Sequence, residues 1–427
     1  MFRYYVDFPS DKFNKKITMC LRKITLALVL LFVAQVASAQ SFYICSNGNA
    51  STSSQLEFSD GGQTLNGTAT TSVDSITMHV PALNFVGGDI SMLTKYEEQG
   101  AKYLDRDGKS IAQLLTFLRE QGWNALRVRL FVDPSNSGDK AVCQNLEYVK
   151  RLGHRIKEAG FLLMLDFHYS DTWADPGKQW TPAAWLSLSD EQLYATIYDY
   201  TKECLQQMNA AGASPDFIQT GNEISYGMLW GKNGSSANHC YMGNDANWGR
   251  FTTLLKQAGK ACREVCPRAQ IVLHTERVAQ PAVLLNFYKK MQAAAVDYDI
   301  IGLSYYPYFH GNLNTLEGAL NQLETQFKGK KIQLVETGYS CQWAVPGTTF
   351  DYTATYPYSN EGQRRFTADL IALLKRHSQV SGLYWWYPEA NAYGCTGNLK
   401  EGWYNATLFD NQTGKAQEAL YELKNFR

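Results

Sequence analysis

Eight short apolar runs, separated by longer amphipathic segments, constrain this 427-residue chain more than any other feature. They read NFVGGDIS from residue 84, ALRVRLFV from 125, FLLMLDFH from 161, DFIQTGNE from 216, QIVLHTE from 270, YDIIGLSYY from 298, KIQLVETGY from 331 and GLYWWYP from 382. Between them lie segments with helical spacing, among them SIAQLLTFLREQG, NLEYVKRLGHRIKEAG and NWGRFTTLLKQAGKACREV. Short apolar runs alternating with helices are the pattern of repeated βα units and a parallel sheet. Eight units argue for an α/β fold of the (β/α)8 TIM barrel type rather than an open doubly wound sheet, and such barrels commonly run to about 250 residues or more. No G-x-G-x-x-G or phosphate-binding loop follows the early runs, which disfavours the nucleotide-binding folds. The barrel is expected over residues 84–427.

Strand C-termini share one face of such a barrel, and active sites sit there. The polar residues and the tryptophan that close the eight runs are Asp89, Arg129, His168, Glu223, His274, Tyr305, Glu336 and Trp386, and they are expected to converge. Glu223 after the fourth run and Glu336 after the seventh would then lie across the mouth from each other. One carboxylate at a rim is equally well explained by an ion pair or a helix cap. Two on these strands are what glycoside hydrolysis requires, one protonating the leaving oxygen while the other attacks or supports the anomeric carbon.

The rest of the chain narrows the class. Lys+Arg and Asp+Glu balance at 40 each, so no field that gathers nucleic acid is expected, and an uncharged partner fits better. Ten Trp and 26 Tyr either fill a core or supply flat rings for a sugar-binding groove. From Met19 the chain carries basic Arg22 and Lys23, an apolar stretch, and Ala37-Ser38-Ala39 before Gln40, the layout of an export signal. The apolar stretch falls short of the roughly 20 residues of a membrane span. Residues 1–39 therefore read as a signal peptide, and the unusual leader ahead of Met19 points to Met19 as the true start. An exported monomer, periplasmic or extracellular, is expected, with no membrane span in the mature chain.

Residues 40–83, rich in Ser, Thr, Asn and Gly, read as an N-terminal β-rich extension in which Ile76, Met78 and Val80 share a face. Eight cysteines lie outside the signal, a number compatible with disulfides and with 105 pairings. Cys341 and Cys395, on loops placed at one end of the fold, are the expected pair. No Cys or His cluster shows zinc-ligand spacing, so neither a metal nor a cofactor is expected.

Several blocks then resemble a known family: GGDISML from Gly87, RLFVDP from Arg129, LDFHYSDTWADPGKQ from Leu165, QTGNEISYGMLW from Gln219 and VETGY from Val335. They are similar to glycoside hydrolase family 53, the endo-β-1,4-galactanases, over roughly residues 84–427. The resemblance implies Glu223 as acid/base and Glu336 as nucleophile of a retaining double displacement, with Asn222 on the sugar 2-OH and β-1,4-galactan as substrate. Retention asks for carboxyl groups about 5 to 5.5 Å apart, with environments that push their pKa values in opposite directions.

Around this pair, Arg129 is expected to hold the nucleophile ionised. His168 would contact substrate hydroxyls or orient Glu223, Tyr305 or Tyr306 would donate to Glu336, and His274 is a weaker candidate. Trp386 is expected to stack on the sugar at the cleaved position, with Trp385 turned to the helix layer, unless the strand parity is reversed. Trp173, Trp180, Trp230 and Trp343 would line further subsites or simply pack loops. Asp133 and the LWGKNG stretch depart from the family pattern, the second suggesting a remodelled subsite. TTFDYTATYPYSNEG and EANAYGCTGNLKEG lack a dense acidic cluster, so no structural calcium is expected. Competing readings are a mannanase or β-glucanase with the same two Glu, a catalytically silent polysaccharide-binding barrel, and a metal-dependent hydrolase using His168 and His274.

Overall fold

The computed structural model describes residues 3–6, 17–20, 42–46, 49–53, 56–59, 63–77, 84–397 and 405–427. The signal-peptide cleavage region, Met78, Val80 and the end of the EANAYGCTGNLKEG loop lie outside them. Each of the eight apolar runs forms one strand: β1 Phe85–Asp89, β2 Ala125–Leu130, β3 Leu162–Phe167, β4 Phe217–Thr220, β5 Gln270–Thr275, β6 Ile300–Tyr305, β7 Lys331–Thr337 and β8 Val380–Trp386. Neighbours pair in parallel in chain order, and β8 closes onto β1. The fold is a TIM barrel.

Helices α1 Leu114–Glu120, α2 Leu146–Glu158, α3 Asp190–Ala210, α4 Trp248–Val265, α5 Pro281–Ala293, α6 Leu313–Gln326 and α7 Asn360–Leu374 follow the first seven strands. Their starts are written locally. Asn145, Asn312 and Ser359 accept from first-turn amides, and Ser189 with Gln192 forms a full capping box at α3.

Strand alternation divides the interior. On β2, Leu126, Val128 and Leu130 face the helix layer, while Ala125, Arg127 and Arg129 face inward. The lower interior is apolar, built from residues such as Phe85, Leu162, Met164, Phe217, Val272, Ile300 and Tyr384. The upper interior is polar, with Asp89, Arg127, Arg129, Asp166, Gln219 and His274 all fully buried.

Residues 42–77 form short antiparallel strands, including a sheet of Asn49–Ser53, Phe42–Ser46 and Val73–Thr77. Tyr43 of that sheet joins the lower apolar layer and donates to Asp216 Oδ1 at 2.5 Å, just ahead of β4. This segment therefore closes the end of the barrel opposite the strand C-termini. Ile76 packs on the small core of Ile44, Leu65 and Val73.

The expected Cys341–Cys395 pair is not formed. Both are thiols, Cys341 donating to the Asn405 carbonyl oxygen at 2.9 Å and Cys395 to that of Asn391 at 3.2 Å, so each side chain is engaged within its own surroundings. Among the described residues no helix is long and apolar enough to cross a membrane.

Candidate active site

The two carboxylates reach the mouth by different backbone devices. After β4 the chain turns sharply: Gly221 has φ 102° and Glu223 φ 50°. A Cβ at position 221 would stand 2.7 Å from Ile224 Cγ2, so glycine is required there. A non-glycine residue in the left-handed region costs about 1–3 kcal/mol and persists only where its surroundings hold it. Here Gln179 Nε2 donates to the Asn222 and Glu223 carbonyls at 2.7 and 3.3 Å, and Glu223 N donates to His274 Nδ1 at 3.3 Å.

On β7, pairing with β6 steps from Leu303↔Leu334 to Ser304↔Glu336, leaving Val335 as the extra residue of a bulge. Val335 lies in the apolar lower layer, and Glu336 also faces inward above it. Unbroken alternation would have sent Glu336 to the helix side; the bulge re-aims it.

Glu336 Oε1 lies 3.0 Å from Arg127 Nη2, and Oε2 accepts from Tyr306 Oη at 3.0 Å. Arg127 also contacts Asp89 Oδ2 and Asp166 Oδ2, each at 2.8 Å, and donates to Asn222 Oδ1 at 2.8 Å. One buried guanidinium thus serves three carboxylates, and their charges keep it firmly protonated against the cost of burial. This corrects the expectation for Arg129, which lies one pleat higher on the same face. Its Nη1 meets Asp89 Oδ1 at 3.2 Å, and its Nη2 donates to the Ala141 carbonyl at 3.3 Å. Tyr305 is corrected as well. It points into the helix layer and donates to the Gly311 carbonyl at 3.0 Å, because Gly302, Ser304 and Tyr306 occupy the inward parity of β6.

Glu223 has a different shell. Its Oε1 accepts from Ser304 Oγ at 2.6 Å, and Ser304 Oγ lies 2.8 Å from His274 Nε2. Burial and the Arg127 charge hold His274 well below its ordinary pKa, so it is a neutral ring. Its Nδ1 lies within hydrogen-bond distance of Glu223 N, Gln219 Nε2 and Asn222 Oδ1, and with the Glu223 amide as the donor the ring proton falls on Nε2, which faces Ser304. The ring is fully buried against the Glu223 backbone and does not line the cleft.

Burial raises both carboxyls, and the difference lies in what opposes it. Glu336 is pushed up to about 7, with Arg127 as the main restraint and the Tyr306 hydroxyl adding to it. Glu223 stands well above the ordinary range, raised by burial, then by Glu336 and Glu276, and relieved only by Ser304. Glu336 therefore ionises first and Glu223 keeps its proton.

The remaining candidates separate by depth. Asp89 is fully buried between Arg127, Arg129 and Ser91. His168 does not reach Glu223: its Nε2 is 3.0 Å from Asp166 Oδ2, and its Nδ1 accepts from Ala174 N at 3.1 Å. A cleft of about 530 Å³ opens above this layer, lined by Asn222, Glu223, Glu276, Arg277, Tyr306, Glu336, Trp173 and Trp386 among others. Asn222 Nδ2 donates to the Ala174 carbonyl at 2.8 Å while the residue keeps a face on the cleft. Trp386 and Trp173 meet edge to face at 6.1 Å, whereas Trp385 is buried with Nε1 donating to the Ala406 carbonyl at 2.7 Å. Trp180 and Trp230 pack against each other, and Trp343 is exposed on the loop after β7.

Sequence reasoning missed Arg127, Ser304 and Glu276. The signal was same-face spacing: Arg127 precedes Arg129 by two, Ser304 precedes Tyr306 by two, and Glu276 follows His274 by two.

Comparison with known proteins gives the same direction. The model of glycosyl hydrolase family 53 matches residues 85–423. An uncharacterised protein of Niallia circulans is 36% identical over 348 residues, covering 78% of this chain and 91% of the relative. An arabinogalactan endo-β-1,4-galactanase of Cellvibrio japonicus is 32% identical, covering 76% and 86%. Among solved structures, the family 53 catalytic domain of Ignisphaera aggregans superposes with TM-score 0.71 at 32% identity, over 82% of this chain and 96% of that one. A structure from a study of two fungal β-1,4-galactanases gives 0.68 at 27%, over 79% and 98%. With the family model spanning the whole barrel, the chain belongs to glycosyl hydrolase family 53.

Proposed function

We propose that this chain is an endo-β-1,4-galactanase that cleaves galactan of type I arabinogalactan by double displacement with retention. The observation that carries the reading is the unequal pair in one cleft: Glu336 against a cation and a phenol, Glu223 against a serine and other carboxyls. Glu223 gives its proton to the leaving oxygen while Glu336 attacks the anomeric carbon, forming a glycosyl ester. Glu223, now a carboxylate, takes a proton from water, whose oxygen displaces Glu336. Asn222 holds the 2-OH with the amide hydrogen not given to Ala174, and Trp386 stacks under the sugar. The galactan specificity rests on the likeness to the arabinogalactan endo-β-1,4-galactanase of Cellvibrio japonicus.

Export accompanies this reading. A cleavable signal ending near Ala39 would deliver residues 40–427 to the periplasm or medium, where pectic polymers are met, as a monomeric extension-plus-barrel unit. Product analysis on potato galactan, mannan and mixed-linkage glucan tests the substrate: release of galacto-oligosaccharides from galactan alone is expected, and cleavage of another chain instead would overturn it. Glu223→Ala should regain activity with azide on an activated galactoside.

A further inference from the structure

One carboxyl in the cleft beside the catalytic pair takes no direct step in the chemistry above. Glu276, just beyond β5, is 5% exposed and lines the cleft beside Glu223. Its Oε1 lies 2.6 Å from Arg277 Nε and accepts from Ser225 Oγ, two residues past Glu223. Its Oε2 is buried with no hydrogen-bond partner in the protein. A buried acceptor left empty is costly unless something fills it, and the residue that carries this one lines the cleft.

The side of the cleft follows from the two catalytic roles proposed here. Arg127, Tyr306 and Trp386 gather around Glu336, where the sugar being transferred must sit. Glu276 and Arg277 gather around Glu223, which protonates the leaving oxygen. The leaving sugar therefore emerges over Glu276. The wall behind is built by this chain's long loop after β4: Arg277 lies 4.0 Å over the Tyr226 ring, and Tyr241 packs on Tyr226 at 5.5 Å.

We propose that Glu276 is the specificity-determining residue of the leaving-group subsite, its Oε2 accepting a hydroxyl of the sugar on the far side of the scissile bond. The assignment rests on the galactanase reading above. It makes a distinctive demand on the second half of the reaction. When a sugar instead of water meets the glycosyl ester, its hydroxyl oxygen bonds to the anomeric carbon and the bond to Glu336 breaks. The bonding electrons stay on Glu336, and the hydroxyl proton passes to Glu223. That sugar must first occupy the same subsite; water need not.

The experiment takes 4-nitrophenyl β-1,4-galactobioside as donor and galactobiose as added acceptor, and measures transfer and hydrolysis products for the wild type and Glu276→Gln. The variant should lose transfer relative to hydrolysis by roughly ten- to a hundredfold, the weight of a hydrogen bond to a charged group; the ratio is read within each enzyme, so any effect of the substitution on Glu223 falls on both products and divides out. Glu276→Asp, with the carboxylate withdrawn by one methylene, should show the same fall if Glu276→Gln melts too low to assay. An unchanged ratio of transfer to hydrolysis would overturn the proposal, as would equal loss of both in a variant with the wild-type melting curve, since a residue that only tunes Glu223 affects both acceptors alike. A wild type inert on the galactobioside and on galactan would instead overturn the substrate reading on which the proposal rests.

Discussion

The lower and upper halves of the barrel interior are built from the same strands and the same inward parity, yet they do opposite work. Below, Phe85, Met164, Phe217, Val272 and Tyr384 pack as a dry layer closed by Tyr43. Above, on the same inward face, Arg127, Asp89 and Asp166 crowd charge into a space equally buried, and Glu336 carries it up to the cleft. Burial contributes stability in the first layer and costs it in the second. The chain tolerates the upper layer because each charge there has a partner, and the pair Glu223 and Glu336 inherits its unequal acidity from that arrangement.

Substitutions should therefore separate cleanly between the halves. The largest effect is expected at Glu336→Ala, which should lower kcat by roughly four orders of magnitude or more with a melting temperature equal to or above wild type, since a buried carboxylate crowded by Asp89 and Asp166 is removed. A large fall in melting temperature would show that the upper layer is structural as well. Next come the two hydroxyls. Tyr306→Phe and Ser304→Ala should each lower kcat by roughly a hundredfold and move opposite limbs of the pH profile. The Tyr306 hydrogen bond favours the Glu336 anion, so its loss raises that pKa, shifts the acid limb to higher pH and narrows the bell. The Ser304 bond lowers Glu223, so its loss raises that pKa further, shifts the alkaline limb to higher pH and widens the bell. Two shifts on the same limb would break the division of roles.

In the lower half, Phe217→Ala should cost about 3–5 kcal/mol in urea unfolding and leave kcat per folded molecule unchanged; a selective loss of kcat would mean that the halves are coupled. The smallest effect is at the rim, just past the end of β8. Burial raises Glu389 to about 8, opposed by Met92 N donating to Oε1 at 2.9 Å. A carboxyl raised on folding weakens the fold as pH climbs from its unfolded value, about 4.3, to its folded one. Glu389→Gln should thus raise the melting temperature by a few degrees at pH 8 and leave it unchanged at pH 4. An equal shift at both pH values would indicate a packing effect.

The barrel was legible because its strands are apolar on both faces and punctuated by polar ends, a pattern that survives without tertiary information. Glu223 and Glu336 were legible for the same reason. What failed was the assignment of contacts at one-residue resolution. Arg129 and Arg127 share a face, and only strand stagger decides which one is level with Glu336. Tyr305 and Tyr306 have opposite parity, and a bulge between β6 and β7, invisible in LSYY or LVET, sets how they meet the seventh strand. His168 ends its run as the true rim residues do, but Asp166 and the Ala174 amide hold it below the surface of the cleft. Loop position alone suggests Cys341 and Cys395 as a pair, but it says nothing about where a thiol points.

The most direct test of the divided pair is trapping with 2-deoxy-2-fluoro-β-galactobiosyl fluoride, followed by mass spectrometry of the digested protein. The account predicts a stoichiometric adduct on the peptide containing Glu336, slow reactivation in buffer and no adduct in Glu336→Ala. An adduct on Glu223, or hydrolysis of galactan with inversion and no adduct at all, would contradict it.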